Sequence, residues 1–166
     1  MEVLLVGNTD FITKQWIQHA FPQDHVVIAE REGTVDGNDR LRIVNMSDAN
    51  ALAETITTYE FDRIVFFSEN LTPHSDRDGD LGALRRLLHA IRNRQTQMLM
   101  VSGPESEFTY PENADVRDTS KSLMSRASEE LCLYYARTYR LEAKIIRCPY
   151  LSVAGSSRKV SCHAVT

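Results

Sequence analysis

The feature that most constrains this chain is an alternation. Short apolar runs recur along it, and longer stretches that are apolar on one side only lie between them. The first run, Val3 to Val6, ends at Gly7. Later ones fall within 25–30 (Val-Val-Ile-Ala), Leu41 to Met46, Arg63 to Ser68, Gln97 to Ser102, and Ala143 to Arg147. Short apolar runs bounded by turn residues suit strands buried on both faces. Residues 11–21 place Phe11, Ile12, Trp16 and Ile17 on one side of a helix. Ser47 or Asp48 can cap a second helix running to about Tyr59. Residues 80–94 set Leu81, Leu84, Leu87, Leu88 and Ile91 at helical spacing, and Thr119 to about Tyr139 reads as a long helix. The polar stretches 31–40, 69–79 and 103–118 read as loops. Strands alternating with helices predict an α/β fold with helices on both faces of a parallel sheet, doubly wound, about six strands in the order 3-2-1-4-5-6.

At 166 residues the chain makes one domain, expected over 1–155. Residues 156–166 are expected to be a disordered tail or a linker to a following domain. The formal net charge is -4 and no basic run occurs, which argues against nucleic acid as a partner. Three widely spaced cysteines without C-x-x-C exclude a disulfide scaffold and suit a reducing compartment. No run approaches the roughly 18 apolar residues of a membrane span, and the first residues lack the pattern of a signal peptide. The expected location is the cytoplasm, with the chain free or as the cytoplasmic part of a larger membrane-attached protein.

Several local patterns have simple readings. The acidic stretch 74–80 lacks the glycine and glutamate of a calcium loop at the required positions, Leu81 and Leu87 standing there instead, so no metal site is expected. No G-x-S-x-G occurs, which disfavours a serine hydrolase. Glu129 and Glu130 read as the solvated face of the long helix, and Cys132 as a packed thiol.

The turn after the first run carries more information. Residues 6–13 read Val-Gly-Asn-Thr-Asp-Phe-Ile-Thr, where a dinucleotide fold holds a pyrophosphate. This order resembles the opening G-x-x-G-F-I-G of the extended short-chain dehydrogenase/reductase family, the NAD-dependent nucleotide-sugar epimerases and dehydratases. Gly7 takes the first glycine, Asp10 stands at the second and Thr13 at the third. Asp10 is the N-cap of the following helix or a side chain in the phosphate path, where two like charges about 4 Å apart repel by roughly 1 to 4 kcal/mol. Lys14 offsets part of that charge.

The resemblance extends over about 1–155 and implies a Rossmann-like domain without the C-terminal substrate part. Glu30 matches the acidic residue that binds the adenosine ribose, or is a solvated strand end. Asn45 stands for the aspartate near the adenine. Ser68 and Glu69 replace two small alanines under the cofactor. Ser102 and Gly103 fall at the catalytic Ser/Thr. Lys121 and Ser125 fall at the tyrosine and lysine of Y-x-x-x-K, or Arg117 and Lys121 do in a second alignment; neither recovers the pair, and the motif is absent from the chain. A lysine, with an ordinary pKa of about 10.4, is a poor base near neutral pH.

With four parts of the family's site altered, the expectation is a chain that is not an enzyme: an inactive interaction, scaffolding or regulatory domain within a larger protein linked to nucleotide-sugar or polysaccharide metabolism. No cofactor is expected, NAD if any. The alternatives are an active NAD-dependent epimerase, dehydratase or reductase, and a nucleotide sensor without turnover. The expected partner is another protein or a second copy, because the family often pairs two helices of each subunit. Leu84, Leu88, Ile91, Leu123, Leu131 and Tyr135 are the candidates for that face, or they bury against the chain's own sheet.

Overall fold

In the computed structural model, residues 1–7, 23–30, 41–45, 49–68, 77–102, 116–147 and 163–165 are described. They form β1 (Glu2–Val6), β2 (His25–Glu30), β3 (Leu41–Asn45), α1 (Ala49–Thr58), β4 (Arg63–Phe67) and α2 (Arg77–Ile91). Then come β5 (Gln97–Ser102), α3 (Val116–Tyr139), β6 (Ala143–Arg147) and β7 (His163–Val165). One sheet holds them all, in the order β3-β2-β1-β4-β5-β6-β7. β1 through β6 are parallel, as the alternation of strands and helices predicts. The fold is the expected Rossmann-like α/β sheet.

β7 runs antiparallel to β6, pairing His163 with Arg147 and Val165 with Ile145. It lies within 156–166, where the sequence predicts no element. Three residues are too few to carry a periodic signal. α2 and α3 each begin three residues before their predicted starts, at Arg77 and Val116. Asp78, Asp80 and Asp118 make those first turns polar, which reads as loop. Acidic side chains also favour the positive end of a helix. The predicted helix at 11–21 lies outside the described residues.

Side chains along a strand point alternately to the two faces. Leu4, Val6, Ile64, Phe66, Met100 and Ile145 join Ile56 of α1, Leu84, Leu87, Leu88 and Ile91 of α2, and Cys132 and Tyr135 of α3 in the larger core. Val3, Leu5, Val26, Ile28, Val65 and Phe67 form a second core on the opposite face. Burial on both faces is why these strands read as continuous apolar runs.

The apolar stripe of α2 follows the i, i+3, i+4, i+7 spacing of an amphipathic helix. Burial separates the two readings of the six residues weighed for a face toward a second copy or for packing on the chain's own sheet. Leu84, Leu88 and Ile91 are at most 1% exposed and Tyr135 is 7% exposed, all within the core. Leu131 packs against that core as well, and Leu123 alone of the six is an exposed large hydrophobic. The alternative reading, burial against the chain's own sheet, holds for the other five. Among the described residues no helix is long and apolar enough to cross a membrane.

Candidate functional site

In open α/β sheets ligands bind beyond the C-terminal strand ends, at the point where strand order reverses. Here that point lies between β1 and β4. Gly7 follows β1 at this place with φ +134°. A Cβ there would sit 3.0 Å from both the Cβ and the carbonyl oxygen of Phe67. Backbone conformation and the close approach of β4 therefore each require glycine. The Gly7 N–H donates to the Ala29 carbonyl at 3.1 Å, tying the turn to β2. This fits the tight-turn role of a first dinucleotide-fold glycine. Asp10 and Thr13 lie outside the described residues.

Glu30 and Asn45 are register partners at the ends of β2 and β3, so the two expected adenosine-side positions come side by side. Ser68 follows β4 and is 1% exposed. Its N–H and its hydroxyl both donate to the Val101 carbonyl, at 2.9 and 3.1 Å. A small buried residue is thus required there, and its hydroxyl clips β4 to β5.

The ends of β5 and β6 carry the densest buried polarity. Ser102 and Arg147 are register partners, on the same face as Met100 and Ile145 and hence toward α3. From α3, Ser125, Ser128 and Glu129 are all buried. Arg147 Nε donates to both carboxylate oxygens of Glu129, at 3.1 and 3.2 Å, and Nη2 donates to Oε2 at 2.6 Å. The Ser128 hydroxyl donates to the Met124 carbonyl at 2.9 Å. Ser102 Oγ is different: among the described residues it is the one buried side-chain polar atom without a hydrogen-bond partner. Leaving such a group unmatched costs about 1 to 3 kcal/mol. Among the described residues, five of the seven buried polar ones, Ser68, Ser102, Ser125, Ser128 and Glu129, lie in this layer. Buried polarity concentrated at the C-terminal strand ends, the end of the sheet that also holds the switch point, makes this the candidate site.

Lys121 lies in α3 one turn before Ser125, and Gly103 lies outside the described residues. Glu129 corrects an expectation. It is 4% exposed and ion-paired, whereas Glu130 is exposed. Adjacent residues on a helix differ by about 100°, so one glutamate of the two turns inward. The signal was legible, because Ser125, Ser128, Glu129, Cys132 and Tyr135 fall on one stripe at spacings of three and four. Cys132 is the packed thiol expected: burial, and then the Glu129 charge, push its pKa up to about 11.

No family model matches the chain, and no curated protein matches it in sequence. Solved structures do match. UDP-glucuronic acid 4-epimerase from Bacillus cereus, in complex with UDP-glucuronic acid and NAD, superposes with a TM-score of 0.64 at 13% identity, over 87% of this chain and 55% of its own. A variant of uronate dehydrogenase from Agrobacterium tumefaciens, complexed with NAD, gives 0.63 at 18% identity, over 86% and 59%. The enzyme WbmH from Bordetella bronchiseptica, in complex with NAD+, gives 0.64 at 13% identity, over 88% and 55%. The chain has the Rossmann-like fold of these dehydrogenases and epimerases, and spans a little over half of their length.

These matches overturn the expectation that the chain is not an enzyme. The fold is that of proteins described as a dehydrogenase and an epimerase, solved with NAD. Among the described residues, Gly7, the strand order and the buried polar side chains at the ends of β4 and β5 are in place.

Proposed function

We propose that this chain is the NAD-binding part of an NAD-dependent dehydrogenase or epimerase acting on a sugar or nucleotide sugar. The observation that carries the reading is Gly7 at the switch point of the sheet, with φ +134° and no room for a side chain beside Phe67. Gly7 would make the tight turn of the pyrophosphate loop, and Glu30 would hold the adenosine ribose. NAD, when bound, supplies hydride transfer at its nicotinamide ring. The free, buried thiol of Cys132 suits a reducing compartment, and the cytoplasm is the setting proposed.

Calorimetric titration with NAD+, NADH and NADP+ tests this. Saturable NAD binding is expected, with NADP+ roughly tenfold weaker because a carboxylate at Glu30 repels the 2′-phosphate. Asp10→Gly with Thr13→Gly should tighten NAD binding by removing a like charge and a side chain from the turn. Absence of saturable binding to any of the three nucleotides overturns the proposal.

A further inference from the structure

Resting on that reading, we propose that Glu129 and Arg147 are positioning residues of the NAD site: their ion pair fixes α3 against the end of β6, and so sets the crevice that the ligand enters. Three observations carry this. The first is geometry, since Arg147 engages both oxygens of a carboxylate through Nε and Nη2, an arrangement that fixes orientation as well as distance. The second is place. The pair lies at the C-terminal edge, with Ser125 one helical turn from Glu129 and Ser102 in register beside Arg147. The third is energetics. With the carboxylate 5% exposed and the guanidinium 26%, the pair recovers in mutual attraction about what its partial desolvation costs, so an apolar pair of similar volume would hold the same elements together. A part-buried pair kept where ligands bind is then explained by the geometry it imposes. The unmatched Ser102 hydroxyl beside it agrees, because the same edge carries polarity that packing alone does not call for.

The test removes both charges at once, with Glu129→Leu and Arg147→Met in one chain, so that neither is left alone. Thermal unfolding and NAD titration are read side by side. The double variant should unfold cooperatively near the wild-type midpoint while binding NAD roughly tenfold more weakly. The swapped pair, Glu129→Arg with Arg147→Glu, should recover part of that affinity. Wild-type affinity in the apolar double variant overturns the positioning role and leaves the proposed function standing. A double variant that does not fold makes the pair a stability element and overturns it too. A wild-type protein that binds no NAD removes both readings together.

Discussion

The two ends of the sheet treat their side-chain pairs differently. At the N-terminal strand ends they meet in the open. His25 Nδ1 lies 2.7 Å from Glu2 Oε2, with the two side chains 36% and 39% exposed. Gln97 accepts from Arg63 at 3.2 Å and donates to Glu142 at 3.0 Å, both contacts at the surface. At the C-terminal strand ends Glu129 of α3, Ser102 at the tip of β5 and Ser68 just after β4 are buried, and Arg147, the partner of Glu129, is 26% exposed. Exposed pairs stabilise by about 0 to 1 kcal/mol because water already satisfies each partner. Buried polar groups have no such fallback, so their arrangement is under stricter control. The difference teaches where the chain tolerates change and where it does not.

Breaking the buried pair one side at a time should have the largest effect. Arg147→Ala takes the guanidinium from a carboxylate only 5% exposed and should destabilise by about 3 to 5 kcal/mol in denaturant unfolding, whereas Glu129→Ala leaves a guanidinium already 26% exposed and should cost about 1.5 to 3 kcal/mol. Gly7→Ala comes next. The added Cβ meets Phe67 at 3.0 Å in a backbone conformation that L side chains rarely adopt, so a loss of about 2 to 4 kcal/mol is expected. The same substitution at Gly82, whose nearest neighbour is the tip of Arg86 at 3.5 Å, is the control and should be tolerated.

Cys132 extends the comparison to pH. Its folded pKa is raised from 9.0 to about 11, so the thiol ionises first in the unfolded chain. Its contribution is fully present below pH 9 and is lost as pH rises from there to about 11. The unfolded state then binds fewer protons than the native state. Roughly 2 kcal/mol should disappear over that interval, and Cys132→Ala should flatten the profile. At the exposed end, Glu2→Gln should move stability by no more than about 1 kcal/mol, and less at high salt. A loss as large as that of Glu129→Ala would erase the distinction between the two ends.

Much of the fold is legible in the sequence because its strands are buried on both faces. β2, β5 and β6 match their predicted bounds, since an apolar run flanked by polar residues defines both ends of such a strand. The stripe of α2 is legible from spacing alone. Glu129 is not legible from composition, which assigns acidic residues to water. It becomes so only when its spacing from Cys132 and Tyr135 is weighed against its charge. Arg147 could be found only through its partner, because parallel pairing with β5 and the approach of α3 are long-range facts. Gly7 was legible as a motif position, whereas its contact with Phe67 depends on two strands 60 residues apart in sequence.

Ser102→Ala should have the smallest effect, and its sign is what matters. The hydroxyl is fully buried and unmatched, so its removal takes away a desolvation penalty and breaks no hydrogen bond within the described residues. The variant should therefore equal the wild type or exceed it by up to about 1 kcal/mol in denaturant unfolding. Thr96→Ala is the counterpart at the other end. Its hydroxyl is also buried but donates to the Phe61 carbonyl at 2.9 Å, so its removal should cost about 1 kcal/mol or more. Opposite signs for two small buried hydroxyls would mean that the N-terminal end is arranged for stability, while the C-terminal end holds polarity that folding does not require. A loss on Ser102→Ala equal to that on Thr96→Ala would show that the β5 hydroxyl is matched in the folded chain after all, and the contrast would then rest on the Glu129–Arg147 pair.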